Sequence, residues 1–328
     1  MIKYKEALKK AAFITMGSLL SISGIASDDN KEKDWGVINV SVCNMRVEGE
    51  YSAGMATQGL LGMPVRIVKD DGWLQVETPE GYVSWVHPRS VHRMTRDQLT
   101  DWNTAPQLVV TAPLTIIYSQ PKRTSQIVGD AVACNRLRYL GGRSTYHKVA
   151  CPDGRIGYIS KHDAEEIGKW RKSLKNTVPE LTKTAMTMLG FPYMWGGMST
   201  KGIDCSGFVR TFLLMHDIII PRDASQMAYK GLHIDIAPDF SNLEPGDLLF
   251  FGSKATDTEK AKVSHVAFYL GDRKFIHSLG MVQIGSFDPN APDYDEYDLN
   301  RLLWAQRVLP YIDREQGLFT TPNSDFYK

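Results

Sequence analysis

The hydrophobic pattern changes character along the chain. Between about residues 35 and 165, apolar positions alternate with polar ones in short runs broken by Gly, Pro, Asn and Asp, which predicts half-buried strands and turns. One stretch occurs twice. Trp73-Leu-Gln-Val-Glu-Thr-Pro-Glu-Gly81-Tyr-Val-Ser-Trp85-Val86 aligns without a gap on Tyr146-His-Lys-Val-Ala-Cys-Pro-Asp-Gly154-Arg-Ile-Gly-Tyr158-Ile159, 73 residues further on. Each copy reads as a strand, a Pro-acid-Gly turn and a second strand, hence a β-hairpin. Each is preceded by a β-rich run (65–68; 137–140) and by an earlier short strand (39–46; 107–111). The repeat predicts two small all-β barrels over residues 35–95 and 105–165.

From about residue 178 the apolar period lengthens to that of a helix, with Leu181, Ala185, Met188 and Leu189 on one side over 180–189. A loop of Gly, Pro and aromatic residues follows over 190–202, and an apolar helix is predicted from Cys205 through His216. Stretches 247–251, 263–270 and 274–278 read as strands. Helix first and strands after predict an α+β domain of ~140 residues over 178–315.

The first residues read as an address. Lys3, Lys5, Lys9 and Lys10 introduce a mostly apolar, uncharged run over 11–22, and Gly24-Ile25-Ala26 fits the small-x-small pattern of a signal-peptidase site. The run is too short to span a bilayer core of ~30 Å. The charged stretch 28–34 after it suits a linker better than a buried helix. An export signal over 1–26 is expected, with a periplasmic or extracellular destination and no membrane span after its removal. No Cys follows the small residues at the position of a lipid anchor.

Composition narrows the classes further. A chain of 328 residues exceeds one ordinary core. Its 38 basic against 37 acidic side chains, net +1, lack the basic excess that marks a nucleic-acid partner. The four cysteines, Cys43, Cys134, Cys151 and Cys205, form no CxxC pattern, and no HExxH-like motif occurs, so neither a metal nor another cofactor is expected. Cys134 and Cys151 flank the Gly141-Gly142 turn. They read either as a cross-strand disulfide or, more often for lone cysteines, as small core residues.

The chemistry gathers in Tyr193-Met-Trp195-Gly-Gly197-Met-Ser-Thr-Lys-Gly202-Ile-Asp204-Cys205-Ser206-Gly207-Phe208. A glycine-rich loop delivers a Cys to the start of a helix, where unpaired N–H groups and the helix dipole favour a thiolate. Such a site can lower a thiol pKa from ~8.5 toward 3.5–7.5, and it calls for a His as base. His265 interrupts the apolar strand Val263-Ser-His265-Val-Ala-Phe-Tyr-Leu270, and His277 sits on the next strand. Side chains alternate along a strand, so the two histidines share a face only across a loop of odd length. A three-residue loop, Gly271-Asp272-Arg273, would set His277 diagonally beside His265 to orient its ring.

These motifs, in this order, resemble the NlpC-type cell-wall cysteine peptidases, whose core is papain-like: Asp204-Cys205-Ser206-Gly207-Phe208, Ser264-His265-Val266-Ala267 and Ile276-His277, with Tyr-x-Trp-Gly-Gly ahead of the Cys and Pro221-Arg222-Asp223-Ala224-Ser225 after it. The resemblance covers about residues 178–310. The upstream barrels are similar to the SH3-like domains that accompany such enzymes, notably the γ-D-glutamyl-L-diamino acid endopeptidases (dipeptidyl-peptidase VI). It implies that Cys205 attacks the γ-amide joining D-Glu to the diamino acid of murein peptides, that His265 is the base and that His277 is the orienting third member. Tyr193 and the Cys205 N–H would receive the oxyanion. Asp204 would face the free amine of L-Ala, while Ser206, Arg222, Asp223 and Ser225 shape the D-Glu pocket. Tyr82 and Trp85 are candidates for the barrel side of the cleft. Relatives add an acid from the first barrel. Here that position is Gly54, so either Glu48 or Glu50 substitutes or the contact is lost.

Each of these residues has a plainer use. A lone buried Cys or strand His is usually core, and it is their combination that points to catalysis. His277 could bond a backbone carbonyl, Tyr193 could be an aromatic plug, Asp204 could cap the helix, and Arg222 and Asp223 could form a local ion pair. Trp73 and Tyr146 read as barrel core. Two other functions use the same residues differently. An amidase or acyltransferase on the same Cys–His core would want an open groove, whereas a catalytically idle wall-binding protein would have no use for Cys205, His265 and His277 together.

Overall fold

The computed structural model describes residues 33–328; the expected export segment lies outside them. Two all-β SH3-like barrels precede a papain-like α+β domain. The first barrel is a seven-stranded sheet in the order Met55–Leu60, Val42–Arg46, Val83–Val86, Trp73–Glu77, Pro64–Asp71, Trp35–Ile38, Val91–Met94. The second repeats that order strand for strand: Ile127–Val132, Leu114–Tyr118, Ile156–Ser160, Tyr146–Ala150, Arg136–Arg143, Gln107–Val110, Ala164–Glu166. The repeated hairpin is its visible part. Thr78 N–H donates to Tyr82 O at 2.9 Å and Cys151 N–H to Arg155 O at 2.9 Å, so equivalent turns close in the same way. Both turns use a glycine with φ near +80°, Gly81 and Gly154, a conformation that costs other residues more.

Some expectations yield to packing. The strand expected over 39–46 is shorter, Val42–Arg46, and a separate strand, Trp35–Ile38, precedes it across a turn. Trp73 is half-buried in a surface group with Tyr51 and His87, at ring distances of 5.0 and 5.4 Å, rather than in the barrel core. Cys134 and Cys151 are free thiols; Cys151 packs in the second barrel's core, whereas Cys134 takes a positive φ of 68° outside it.

In the third unit, helices α1 (Val178–Met186), α2 (Cys205–Leu214) and α3 (Ala224–Met227) precede strand β1 (Leu232–Ile234). Strands β2 (Leu248–Ser253), β3 (Lys262–Gly271), β4 (Lys274–Leu279) and β5 (Met281–Ser286) follow, then α4 (Glu296–Arg301) and β6 (Leu302–Arg307). The sheet order is β1-β6-β2-β3-β4-β5. Strand alternation sorts its side chains into two cores. Phe250, Val266, Phe268 and Ile276 pack with Leu181, Phe208 and Phe212 of α1 and α2. Phe251, Ala267, Tyr269 and Phe275 pack on the other face with Leu299 and Leu302. Full burial of such side chains contributes about 1.5–3 kcal/mol each.

Polar struts join the units. Glu80, in the first barrel's Pro-Glu-Gly turn, forms a 2.8 Å buried ion pair with Arg210 of α2. Gly62 of the first barrel lies so close to Arg136 of the second that an added Cβ would meet Arg136 O at 2.3 Å. The chain beyond residue 315, outside the expected domain limit, fastens all three units. Phe319–Thr320 pairs with Ile218–Ile219, and Thr321 Oγ1 donates to Asp217 Oδ1 at 2.6 Å. Asp217 also accepts Arg171 Nε at 2.8 Å and pairs with Arg136 at 3.4 Å. The Arg136 guanidinium lies 4.2 Å from the Tyr327 ring.

Asp217→Ala would leave Arg136 buried without its counter-charge, which costs about 3–5 kcal/mol. Calorimetry is expected to show unfolding lowered by on the order of 10 °C for a chain of this size, with the far-ultraviolet spectrum retained at low temperature.

Candidate active site

The glycine-rich loop is pinned before it reaches Cys205. Gly190 N–H donates to Val282 O and Tyr193 N–H to Gly280 O, both at 2.9 Å. Gln58 of the first barrel accepts Met198 N–H at 2.9 Å. Gly196, at φ 75°, turns its N–H onto Asp204 Oδ2 at 2.9 Å. Asp204 then caps α2, Oδ1 accepting Gly207 N–H at 2.7 Å. Gly207 has no room for a side chain, since a Cβ would lie 2.0 Å from Gly197 O.

The hairpin carrying the histidines differs from expectation in a way that preserves its result. Gly271 pairs with Lys274, so the turn holds two residues, Asp272 and Arg273, with φ 49° and 62°. Positive φ at both positions is the type I′ hairpin turn, matched to the twist of the strands. A bulge between Tyr269 and Gly271 supplies the odd residue. His265 and His277 therefore share a face, and His265 Nε2 lies 2.9 Å from His277 Nδ1 in a buried hydrogen bond. The ladder runs no further than Phe268–Ile276. Into the opened end comes the N-terminus of α2, with Ser278 Oγ donating to Ile203 O at 2.9 Å.

Cys205, 9% exposed, meets the backbone N–H groups of Val266 and Ser206. Among the described residues no hydrogen bond joins its sulfur to either imidazole. Hydrogen bonds of this kind often tighten only when substrate is bound. Burial pushes the thiol up to about 11, Asp204 adds to the push, and the two N–H groups pull it back. Burial, then His277, holds the His265 imidazole down to about 3. The expected lowering of the thiol is thus absent in the resting state, because burial outweighs the helix terminus. Thiol and imidazole are both neutral around pH 7.

A cleft of about 330 Å³ opens over Cys205. Tyr193, Trp195, Asp204, Ser206, Asp223 and Ser225 line one side, and Val47, Met55, Ala56 and Tyr82 of the first barrel line the other. Burial, then Cys205 and Asp204, pushes the Tyr193 hydroxyl up to about 12, so it stays a proton donor. Arg222 borders the cleft but is only 2% exposed, and its donors are spent: Nη2 on Asp204 Oδ2 at 2.6 Å, Nη1 on Ser206 Oγ at 2.8 Å, Nε on Thr57 Oγ1 of the barrel at 2.7 Å. Asp204 is consumed by the same network. Asp223, its side chain 41% exposed, is the carboxylate that remains open to the cleft. Burial, then Asp204, pushes it above the usual carboxylate range against the pull of Arg222, and Tyr82 shares a hydrogen bond with it.

Three candidates fall elsewhere. Glu48 and Glu50 are exposed outside the cleft wall, Glu50 accepting Ser52 Oγ at 2.6 Å. Trp85 is also outside it, its ring 5.4 Å beneath Lys69 Nζ. A Cβ at Gly54 would touch only Val47, at 3.9 Å, so the position is open but bears no acid. One charged residue at the histidines escaped the sequence reading. Asp298 of α4 is fully buried, with Oδ2 3.2 Å from His277 Nδ1 and Oδ1 3.0 Å from Arg301 Nη1. Its segment holds Asp293, Asp295 and Glu296 as well, and nothing in the sequence sets one acid apart.

A thiol at a helix N-terminus and a strand-borne imidazole pair within a papain-like core are the parts of a cysteine peptidase. Residues 190–300 match the NlpC/P60 family, and residues 45–91 match the bacterial dipeptidyl-peptidase Sh3 domain. A Bacillus cereus gamma-D-glutamyl-L-lysine dipeptidyl-peptidase is 34% identical over 272 residues, which are 78% of this chain and 76% of that protein. Dipeptidyl-peptidase 6 of Lysinibacillus sphaericus is 29% identical over 79% of this chain and 93% of its own length. The crystal structure of an NlpC/P60 family protein from Bacillus cereus superposes with a TM-score of 0.68 at 26% identity, covering 84% of this chain and all of that one. The chain belongs to the NlpC/P60 family.

Gly207→Ala drives a methyl into Gly197 O and must displace either the loop or the start of α2. Alkylation of Cys205, followed by mass spectrometry, is expected to slow at least tenfold at pH 7, with a loss of stability of about 1–3 kcal/mol from overpacking.

Proposed function

We propose that this protein hydrolyses the amide between the γ-carboxyl of D-Glu and the following diamino acid in cell-wall peptides, releasing L-Ala-D-Glu from fragments with a free N-terminus. The observation that carries this reading is the cleft over Cys205, walled on one side by the first barrel. A short, terminal peptide fits such a space, and a long or lipid acyl chain does not. The name of the Bacillus cereus relative, a gamma-D-glutamyl-L-lysine dipeptidyl-peptidase, supports the same bond.

In this mechanism Cys205 Sγ attacks the γ-carbonyl carbon while its proton passes to His265, whose ring His277 orients. The Tyr193 hydroxyl and the Cys205 N–H receive the oxyanion, each donor worth about 3 kcal/mol. Collapse returns the proton from His265 to the departing amine and leaves a thioester on Cys205. Water then attacks with His265 as base, and the carboxylic acid leaves as the thiol re-forms. Asp204 and Arg222 hold the framework. Asp223, with Tyr82, takes the ammonium of L-Ala, because Asp204 has no free oxygen to offer. Ser206 and Ser225 border the D-Glu side.

The N-terminal basic and apolar pattern supports work outside the cytoplasmic membrane, periplasmic or extracellular, in keeping with a cell-wall substrate. No helix of the described residues is long and apolar enough to cross a membrane.

The test is to incubate the purified protein with L-Ala-γ-D-Glu-diaminopimelate and its L-Lys counterpart and assay released L-Ala-D-Glu. Product is expected from the native protein and none from Cys205→Ala; equal product from both sinks the assignment. Asp223→Asn is expected to raise KM at least tenfold for the free peptide with kcat changed little, and to erase discrimination against the N-acetylated peptide. An unchanged preference removes Asp223 from amine binding.

A further inference from the structure

The buried acid beside the histidines has a use that the steps above leave open. Asp298 Oδ2 lies 3.2 Å from His277 Nδ1 and 3.8 Å from His265 Nε2, while Oδ1 is bound to Arg301 Nη1 at 3.0 Å. Arg301 is itself anchored, Nη2 donating to Ser264 Oγ at 2.9 Å next to His265. Oδ2 is close to the imidazole but not aligned as a hydrogen-bond acceptor, and His277 Nε2 likewise has no partner. The interaction is therefore one of charge more than of a directed bond. These three residues are also the described ones whose donor atoms come close enough to share a cation; the Arg301 guanidinium already supplies a positive charge to the carboxylate.

The single proton in the 2.9 Å contact between the rings decides what His265 can do. Carried on His265 Nε2, it leaves Nδ1 with the lone pair that must take the thiol proton. Once that transfer occurs, His265 is a cation in a buried site that already faces Arg301. The charged and titratable groups that act on His265 are His277 on β4 and Asp298 and Arg301 on α4. Those that act on Cys205 are Asp204 at the start of α2 and Arg222 ahead of α3, and Tyr193 on the loop responds to Cys205, Asp204 and Arg222. Asp204 is matched by Arg222 at 2.6 Å. Asp298 is the acid that favours charge on His265. Burial opposes its own ionisation, but His277, His265 and Arg301 together hold it below the usual carboxylate range.

We propose that Asp298 is a positioning residue for the reaction, its carboxylate fixing the His265–His277 pair and compensating the imidazolium formed when Cys205 gives up its proton. The step is charge-neutral overall: the proton leaves Sγ, the electron pair stays on sulfur, and the positive charge appears on the ring beside Asp298. The inference rests on Cys205 and His265 as nucleophile and base, and not on the identity of the peptide.

The experiment is the pH dependence of Cys205 alkylation by iodoacetamide, followed by mass spectrometry so that Cys43, Cys134 and Cys151 do not contribute. Asp298→Asn, close in shape, is expected to slow alkylation at least tenfold at pH 7, with the deficit closing toward pH 10 as solvent takes the thiol proton. A rate equal to the native one at pH 7, or a deficit that persists at all pH values, overturns the proposal. Arg301→Gln removes the opposing cation and is expected to raise the rate several-fold at pH 7. Should Asp298→Asn not fold, Arg301→Gln decides alone, and anything but a rise overturns the proposal. No murein peptide takes part, so a negative peptide assay and a negative alkylation result are separable.

Discussion

The structure turns on the buried pair between Asp204 and Arg222, 2.6 Å apart. Asp204 holds the loop through Gly196, caps the helix that starts at Cys205 through Gly207, and receives the guanidinium through both oxygens. Arg222 passes the constraint outward, to Ser206 in the helix and to Thr57 in the first barrel. Two charges taken out of water are costly unless their remaining donors and acceptors are filled, and here they are filled by the parts that must be held in register. The pair is thus a poor candidate for raw stability and a good one for specificity of arrangement. Any shift of the barrel, the loop or the helix leaves a buried charge short of a partner.

That arrangement explains what the sequence displayed and what it hid. The hairpin repeat was legible because a Pro-acid-Gly turn and its flanking alternation are local properties, and 14 positions aligned at one constant offset leave little room for accident. Cys205 and the two histidines stood out because a Cys after a glycine loop and a His inside an apolar strand each violate the pattern around them. The outer barrel strands, such as Leu114–Tyr118 and Ile127–Val132, carry no such break and are fixed by their neighbours. The hairpin loop length was read wrongly while the shared face was read rightly, since parity depends on the turn plus the bulge, and a bulge leaves no mark in composition.

Charged residues were the hardest to assign. Asp204, Asp223 and Asp298 look alike as letters, yet one is consumed by a guanidinium, one faces the cleft and one lies under the imidazoles. Their roles follow from which cation each meets, and Arg222, Arg301 and the acids they serve are brought together by the fold rather than by a motif. The family resemblance placed Asp204 at the substrate amine, but the carboxylate has no oxygen left once its five donors are counted by name: Gly196 N–H, Gly207 N–H, Ser206 Oγ and both terminal nitrogens of Arg222.

The division of charges also accounts for a quiet resting site. A thiol raised by burial and an imidazole lowered by it form a neutral pair, which is a weak nucleophile but a cheap one to bury. Activation then needs charge separation at the moment of attack, and the groups that can stabilise it are already fixed: N–H donors at the sulfur and an acid beyond the ring. Because the barrel shares the Asp204–Arg222 network as well as the cleft wall, that wall and the frame that holds Cys205 are one mechanical unit. The cleft wall and the start of α2 are therefore coupled through Thr57 and Arg222, and a change that loosens the barrel acts on both.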